Sequence, residues 1–240
     1  MTSSSSILSI IIPVFNEGST INSVLEKISR IDLGPVNKEI IVVDDHSTDD
    51  TSRIISDYIK MRPSEYIRVF THEKNTGKGG AIQTGISNST GDLMIIQDAD
   101  LEYDPKEYRD MIGPILDGYA DVVYGSRFMG SNPHRILFFW HTVGNRFLTF
   151  LSNIFTNLNL SDMETGFKSF RSEIIKKINL KEKKFGFEPE VTAKISRIPG
   201  IRIYEVGISY YGRKYEEGKK INWRDGFHAM YCILRYNLFR

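Results

Sequence analysis

The sequence LMIIQDADLE, at residues 93–102, is the stretch that decides the fold. Its apolar residues suit a strand that is buried on both faces of a parallel sheet, and this strand ends close to Asp98 and Asp100. In an open parallel sheet, ligands bind beyond the carboxyl ends of the strands. Asp98, Asp100 and Glu102 offer hard oxygen ligands, which suit Mg2+ or Mn2+ carrying a diphosphate. The alternative interpretation of the Asp-x-Asp pattern is a solvated turn without a ligand.

Apolar runs and helical patterns alternate on both sides of this stretch. Strands are predicted at residues 7–14, 39–43, 66–71, 93–98 and 121–124, with helices between them that end near residues 30, 61, 87 and 116. Strands that alternate with helices at this spacing imply right-handed parallel crossovers. The expected fold class is therefore α/β, with a Rossmann-like, mostly parallel sheet flanked by helices.

The composition is that of an ordinary globular protein. A chain of 240 residues with 40% hydrophobic content is long enough for a sizeable core. The 31 Lys and Arg residues nearly balance the 30 Asp and Glu residues, so the net charge of +1 gives no general case for binding nucleic acid. Any anion site must therefore be local. The N-terminus lacks basic residues, and Pro13 interrupts the apolar run, which predicts a first strand and not a signal peptide.

Cysteine and histidine give no sequence signal for a metal cluster. Cys232 is the single cysteine, which excludes an internal disulfide, and its expected role is that of a small buried hydrophobe. The histidines show no ligand spacing, and none is assigned to a metal; they are His46, His72, His134, His141 and His228.

Two segments in the second half of the chain, residues 136–158 and 227–239, are unusually rich in aromatic residues. Phe138, Phe139 and Trp140 follow one another in the first segment, where apolar residues recur at helical spacing. Polar residues interrupt both segments, so neither is expected to cross a bilayer. Each is either an interfacial helix that touches lipid or a plain core helix.

Polar clusters fall at the predicted ends of four strands, which parallel pairing places along one rim of the sheet. They are Pro13-Val14-Phe15-Asn16-Glu17, Asp44-Asp45-His46-Ser47, Asp98-Ala99-Asp100 and Gly125-Ser126-Arg127. Asp44 is suited to accept a hydrogen bond from a ribose hydroxyl or a base, and residues 14–17 are suited to line a base pocket. The glycine-rich loop at residues 75–80 lets its backbone approach an anion, with Lys78 as a point charge, although it lacks the Walker spacing.

Taken together and in this order, these motifs resemble the glycosyltransferase-A fold and, within it, the family-2 glycosyltransferases. The resemblance covers residues 7–213 and implies a mixed, mostly parallel sheet with C-terminal amphipathic helices. It implies that Asp98, Asp100 and Glu102 hold Mg2+ or Mn2+ on the diphosphate of a nucleotide sugar. The implied nucleotide-sugar-binding residues are Pro13, Val14, Phe15, Asn16, Glu17, Asp44, Asp45, Lys78 and Asp98.

The second half is similar to the dolichyl-phosphate and polyprenyl-phosphate sugar synthases. The similar segments are Gly125-Ser126-Arg127, Asn145, LSDMETGFKSFR at residues 160–171, FEPEV at residues 187–191 and GRKYEEGK at residues 212–219. Two departures stand out, since those synthases usually carry Gln at the position of Glu102 and Ser at the position of Gly218. Glu102 keeps an oxygen ligand and adds charge, so the departure bears on the donor sugar more than on the metal.

The resemblance implies an inverting transfer of hexose from GDP-mannose or a UDP-sugar to a polyprenyl or dolichyl phosphate, by a peripheral protein on the cytoplasmic face of a membrane. Asp100, Arg127 and Arg213 are the expected catalytic residues, and Arg127, Arg213 and Lys219 are expected to bind the acceptor phosphate. The alternative for the two arginines is a structural ion pair or an exposed surface position, and for Lys219 a solvated charge.

The chain is expected to form a single catalytic domain over residues 1–240. Residues 7–126 form its donor-binding half, residues 127–220 its acceptor-binding half and residues 221–240 a C-terminal amphipathic helix. One rival function is a soluble family-2 enzyme that glycosylates a hydroxyl group, with Asp162 or Glu190 as general base. A second rival is a catalytically silent module that binds nucleotide sugar or lipid.

Overall fold

The structure, a computed structural model, describes residues 6–130, 135–136, 138–213 and 223–239. The strands in this part of the chain are β1 (Ile7–Val14), β2 (Asn37–Asp44), β3 (Ile67–Thr71), β4 (Leu93–Ile96), β5 (Val122–Ser126), β6 (Lys168–Arg171) and β7 (Ile203–Gly207). The helices are α1 (Ile21–Arg30), α2 (Thr51–Met61), α3 (Lys78–Asn88), α4 (Tyr108–Leu116), α5 (Phe139–Thr156), α6 (Ser172–Ile175), α7 (Phe187–Ile195) and α8 (Trp223–Leu238), and a 3-10 turn (Pro105–Glu107) precedes α4.

The strands form one sheet in the order β3-β2-β1-β4-β6-β5-β7. Strands β3, β2, β1 and β4 pair in parallel, as do β5 and β7, whereas β6 runs antiparallel to both of its neighbours, β4 and β5. The prediction of a mixed, mostly parallel sheet flanked by helices is confirmed. The sequence did not predict β6 and β7, because neither is an apolar run: β6 reads KSFR and β7 reads IYEVG.

Alternating side chains of the central strands fill two hydrophobic layers, one on each face of the sheet. Leu8, Ile10 and Ile12 of β1 pack with the apolar faces of α1, α2 and α4, whereas Ile11 packs on the opposite side with α3, α7 and α8. This period of two follows from the pleat of a strand. Burial on both faces explains why β1, β2 and β4 are nearly continuous apolar runs.

Two element boundaries differ from the prediction in ways that matter for function. Strand β4 ends at Ile96, not at Asp98, because the side-chain amide of Gln97 donates to the carbonyls of Asp98 and Tyr103 and holds a turn. Helix α3 begins at Lys78, inside the glycine-rich loop expected at residues 75–80, and so includes Gly79. A Cβ on Gly79 would lie 2.4 Å from the Glu182 carbonyl oxygen, so only glycine permits this close packing.

Helices α5 and α8 pack against each other and keep large apolar side chains exposed. In α5, Leu148 and Leu151 pack against the core, but Trp140 is 78% exposed and Phe147 is 53% exposed. The interpretation of residues 136–158 as a plain core helix is therefore wrong. Among the described residues, the helices are too short or too polar to qualify as membrane spans.

Candidate active site

A cavity of about 800 Å3 lies at the carboxyl ends of β1 and β4, bordered by α3, α5, α7 and α8. Most of the residues selected from the sequence line it, namely Pro13, Val14, Phe15, Glu17, Asp45, Lys78, Asp98, Asp100, Glu102, Arg127 and Arg213. Asn16 and Asp44 do not line it, and Lys219 lies outside the described residues. The parallel sheet thus brings together side chains that are up to 200 positions apart in the sequence.

The Lys78 ammonium lies between two carboxylates in this cavity. Its Nζ is 2.9 Å from an Asp98 oxygen and 3.5 Å from a Glu188 oxygen. Burial alone would lower the pKa of Lys78, but Asp98 and Glu188 raise it above its usual value, so the side chain stays a cation. A Cβ on Gly166 would lie 2.7 Å from Asp98 and 2.9 Å from Lys78, so the absence of a side chain there keeps this ion pair open to the cavity.

The second aspartate of the Asp-x-Asp pattern lies beside Arg213. The guanidinium of Arg213 is 3.0 Å from Asp100 and 3.1 Å from Glu17. Burial and the nearby charges of Asp98 and Glu102 nevertheless raise the pKa of Asp100 to about 7, with Arg213 opposing them. The negative charge around Asp100 is therefore only partly compensated by the protein.

These carboxylates fit a hard divalent cation. Asp98 and Asp100 line the same cavity and supply the oxygen ligands that Mg2+ and Mn2+ prefer. A dication would relieve the repulsion that raises the pKa of Asp100. Glu102 is differently placed, because its carboxylate accepts hydrogen bonds from the Tyr210 hydroxyl (2.8 Å) and the Arg213 backbone N–H (2.7 Å). Its assignment as a metal ligand stays a prediction.

The predicted nucleoside-binding residues divide into two groups. Asp45 lines the cavity and accepts hydrogen bonds from the backbone N–H groups of Thr76 (2.8 Å) and Gly77 (2.7 Å), which fixes the glycine-rich loop beside it. Asp44 instead accepts from the Ser47 N–H in its own loop and from the Ser52 hydroxyl in the first turn of α2. The role of Asp44 in holding a nucleoside stays a prediction.

Arg127 is both part of an ion pair and part of the cavity wall. Its Nε and one terminal nitrogen each donate to Asp162 at 2.7 Å, and Asp162 is fully buried. The Arg127 guanidinium also lies 5.3 Å from the centre of the Tyr210 ring. The structural ion pair and the cavity position are therefore compatible, since a guanidinium carries five N–H donors.

Sequence reasoning missed Glu164, which lines the cavity. Within the described residues, its buried Oε1 has no hydrogen-bond partner. Burial and Glu188 raise the pKa of Glu164 to about 8, although Lys168 and Arg127 oppose the shift. Glu164 lies in the segment at residues 160–171 that resembles the sugar synthases, directly before Thr165-Gly166. No spacing in the sequence indicated that Glu164 would meet Asp98 or Lys78 in the cavity.

Comparison with known sequences agrees with this geometry. Residues 9–179 match the sequence model of glycosyl transferase family 2, and this match covers more than half of the chain. The chain belongs to glycosyl transferase family 2. It is therefore a glycosyltransferase, and the family resemblance inferred from the motifs is confirmed.

Several relatives of this glycosyltransferase are known from sequence. It is 28% identical to an uncharacterised protein of Methanocaldococcus jannaschii over 96% of this chain and 92% of that protein. It is 27% identical to dodecaprenyl-phosphate galacturonate synthase of Rhizobium johnstonii over 88% of this chain and 61% of the synthase. It is 35% identical to dolichyl-phosphate beta-glucosyltransferase of Dictyostelium discoideum over 50% of this chain and 39% of that enzyme. The chain thus spans less than two thirds of the length of these two named enzymes.

Solved structures confirm the fold. Glucosyl-3-phosphoglycerate synthase of Mycobacterium tuberculosis, in complex with Mn2+, UDP and glucosyl-3-phosphoglycerate, superposes with a TM-score of 0.74 at 21% identity, over 97% of this chain and 80% of that chain. The same enzyme with Mg2+ and UDP superposes with a TM-score of 0.70 at 21% identity, over 97% of this chain and 79% of that chain. The glycosyltransferase-A fold predicted from the motifs is confirmed.

Proposed function

We propose that this glycosyltransferase transfers a hexose from a UDP-sugar or GDP-mannose to a polyprenyl or dolichyl phosphate at the cytoplasmic surface of a membrane, with inversion at the anomeric carbon. One observation carries the proposal: a single cavity combines the Asp98 and Asp100 carboxylates with the guanidinium groups of Arg127 and Arg213, and the helices that border it expose aromatic side chains. The named polyprenyl-phosphate and dolichyl-phosphate relatives support the choice of acceptor.

Asp98 and Asp100 are the proposed ligands of Mg2+ or Mn2+, with Glu102 beside them. A divalent cation bound there supplies positive charge to the leaving diphosphate. The chain's own contribution is to place Lys78 next to Asp98 and Arg213 next to Asp100, so that cationic side chains adjoin the same diphosphate region. Asp45 orders the loop at residues 75–77 from which α3 begins, and the first turn of that helix faces the cavity.

The acceptor phosphate is the proposed ligand of Arg127 and Arg213, together with Lys219. A phosphate monoester is already anionic near neutral pH, so it needs orientation by cations more than deprotonation by a base. Arg127 donates to Asp162 through Nε and one terminal nitrogen, and among the described residues nothing accepts from its other terminal nitrogen. One terminal nitrogen of Arg213 donates to both Glu17 and Asp100, whereas the other donates only to Glu17 among the described residues and so keeps one N–H. Both guanidinium groups therefore retain donors for a phosphate.

The membrane surface is the proposed location of the acceptor end of the cavity. Trp140 lines the cavity and is largely exposed, so it lies at the mouth. Further exposed aromatic residues are Phe147 and Phe150 on α5, the helix of Trp140, and Phe227 and Tyr231 on α8. An apolar helix face of this kind is suited to the boundary between headgroups and acyl chains, where a polyprenyl phosphate carries its phosphate.

The test is transfer from radiolabelled UDP-glucose, UDP-N-acetylglucosamine or GDP-mannose, with Mn2+ or Mg2+, to a short-chain polyprenyl phosphate in detergent. A lipid product that is stable to phosphatase but labile to mild acid is expected. Donors that bind the folded state will also raise its melting temperature in a metal-dependent way, which identifies the nucleotide sugar before activity is measured. Turnover with glycerol or 3-phosphoglycerate but not with polyprenyl phosphate would overturn the proposal.

Glu164 favours a second candidate function, transfer to a hydroxyl group. Such a reaction requires a general base, and the two bases predicted for it are poorly placed: Asp162 is held in its pair with Arg127, and Glu190 accepts from backbone N–H groups outside the cavity wall. Glu164 lines the cavity with a pKa of about 8. In Glu164→Gln, the loss of a base would abolish transfer to a hydroxyl, whereas transfer to a phosphate is expected to persist.

A further inference from the structure

Three potential metal ligands meet on the side of α8 that packs against α7 and the loop before it. They are a carboxylate oxygen of Glu182, Nε2 of His228 and Sγ of Cys232, and all lie within 4.8 Å of one another. His228 and Cys232 are four residues apart on α8, which places them on the same face of the helix. None of the three lines the cavity described above.

The spacing of these atoms is close to that of a tetrahedral site. His228 Nε2 lies 3.0 Å from the Glu182 carboxylate and 3.5 Å from Cys232 Sγ, so one ring nitrogen faces both other groups. At zinc bond lengths of about 2.3 Å to sulfur and about 2.0–2.2 Å to nitrogen or oxygen, tetrahedral angles separate sulfur from nitrogen by about 3.5 Å and nitrogen from oxygen by about 3.4 Å. A small movement of the His228 and Glu182 side chains away from each other, from 3.0 Å to about 3.4 Å between nitrogen and oxygen, therefore admits an ion.

Space for the ion is left by a glycine. A Cβ on Gly186 would lie 2.7 Å from Cys232 Sγ and 2.8 Å from the Glu182 carboxylate. The φ of Gly186 is −98°, which any residue adopts, so glycine is required here by the close approach of the two ligands and not by the backbone. Because residue 186 is glycine, no side chain lies between the backbone at this position and the Cys232 thiol or the Glu182 carboxylate.

The groups around the cluster orient its ligands. The Tyr236 hydroxyl donates to Oε1 of Glu182 at 2.7 Å, which leaves Oε2 facing His228. In known metal sites, a hydrogen bond to the carboxylate oxygen that does not bind the metal fixes the orientation of the carboxylate. The Tyr236 hydroxyl makes such a bond to Glu182. Cys232 is fully buried whereas the His228 side chain is 41% exposed, so the ligand set is closed on one side and open to water on the other.

We propose that Glu182, His228 and Cys232 bind one transition-metal ion of the Zn2+ class, with water as the fourth ligand. A thiolate, an imidazole and a carboxylate together favour such an ion over Mg2+ or Ca2+, which prefer oxygen ligands alone. The site is distinct from the carboxylates of the active site, and it does not depend on the proposed sugar-transfer reaction.

The balance of charge favours binding. The Cys232 thiol loses one proton to the solvent as the sulfur–metal bond forms, and His228 binds as the neutral imidazole. The two negative charges of the thiolate and the carboxylate then offset the two positive charges of the ion, so the buried site is neutral.

The ion would join α8 to the loop that supports the start of α3. The Glu182 carbonyl accepts from the Gln83 side chain at 2.8 Å, and the Lys183 carbonyl accepts from the Gly80 N–H at 2.9 Å. Helix α8 also contributes Gly226 and Ala229 to the cavity wall. The proposed metal therefore links α8 to the loop that contains Glu182. We expect it to stabilise the fold without taking part in sugar transfer.

The test is titration of the full-length, metal-free protein with Co2+ as a spectroscopic substitute for Zn2+, in excess Mg2+ to occupy the active-site carboxylates. One equivalent of Co2+ is expected to give a thiolate-to-cobalt charge-transfer band and the intense visible bands of a tetrahedral site, and Zn2+ is expected to displace it. Zn2+ alone should raise the melting temperature and release one proton from the thiol per ion bound.

Variants separate this site from adventitious binding. Cys232→Ser should abolish the charge-transfer band, and Glu182→Gln should weaken Co2+ binding at least tenfold, whereas the matched control Glu173→Gln, an exposed position on α6, should bind as the wild type does. The wild-type spectrum is decisive even if a variant fails to fold. Binding without a thiolate band, or no Co2+ binding in the presence of Mg2+, would overturn the proposal.

Discussion

The two walls of the cavity are built in different ways. The donor wall carries Asp45, Asp98 and Asp100, which follow β2 and β4, and Lys78, which begins α3. Backbone N–H groups of Thr76 and Gly77 donate to Asp45. The acceptor wall carries Arg127 and Arg213, which are held by ion pairs to Asp162, 35 residues away, and to Glu17, 196 residues away. Backbone N–H groups therefore hold Asp45 of the donor wall, whereas ion pairs between side chains hold both arginines of the acceptor wall.

The two walls also differ in what lies behind them. Buried strands such as β1, β2 and β4 support the donor wall on both faces. Helices α5 and α8 form much of the acceptor wall, and their outer faces expose aromatic residues instead of packing in the core. Exposed apolar side chains on the acceptor side are what the proposed lipid-linked acceptor requires.

The largest effect on sugar transfer is expected at the donor wall. In Asp100→Asn, sugar transfer should fall by at least about 100-fold, because the proposed metal loses a charged ligand at the leaving diphosphate. Measurement of kcat/KM with the identified donor tests this expectation. The melting temperature of the metal-free variant should not fall, since burial and neighbouring acids already disfavour the charge of Asp100. Sugar transfer by Asp100→Asn at the wild-type rate would show that the Asp100 carboxylate is not needed for the reaction.

The acceptor wall should respond in stability as well as activity. Arg127→Ala leaves the fully buried Asp162 without its bidentate partner, so the free energy of unfolding should fall by about 3–5 kcal/mol in urea denaturation. Replacing both residues in the double variant Arg127→Met with Asp162→Leu should recover most of this stability but not sugar transfer. If the double variant transfers sugar normally, Arg127 is a structural residue alone.

A smaller effect is expected for the exposed aromatic residues at the start of α5. Changing Phe138, Phe139 and Trp140 to Ser should reduce partitioning onto anionic vesicles at least about tenfold, because apolar area is lost from the surface proposed to face lipid. Flotation of vesicles measures the bound fraction. Tyr66→Ser with Tyr119→Ser is the matched control, since both tyrosines are exposed but lie far from α5 in the sequence. Equal flotation of both variants would refute the membrane-facing role.

The effect expected to be smallest at any one pH is a difference in pH dependence at Glu164. Its pKa rises from an ordinary value of 4.5 in the unfolded chain to about 8 in the folded protein, so the folded state binds the extra proton between these pH values. The free energy of unfolding of the wild type should therefore fall as pH rises through this window, relative to Glu164→Gln, by at most about 1.4 kcal/mol per pH unit. Urea denaturation between pH 5 and 7.5 measures the two slopes, and parallel slopes would mean that Glu164 is ionised in the folded state.

The donor half was predictable because its signals are local. The strands β1, β2 and β4 are apolar runs, and the polar residues that follow them must share one rim of a parallel sheet. Strand β6 was not predictable, because the burial of its Lys168 depends on tertiary contacts: bonds to the carbonyls of Met163 and Thr165 and a position over the Tyr124 ring. Nor does any spacing rule show that His228 and Cys232 meet Glu182, which comes from a different element.

By itself, the sequence determined the α/β class, the order of the first strands, the family and the Asp98–Asp100 pair at a strand end, since hydrophobic periodicity and short motifs act over a few residues. Only the tertiary structure decided that Arg127 pairs with Asp162, that Arg213 joins Glu17 and Asp100, and that Glu164 lies unpartnered by described residues in the cavity wall. These contacts depend on how elements that are distant in the sequence pack against each other. The burial and the charged neighbours of each side chain follow from that packing and not from the local sequence.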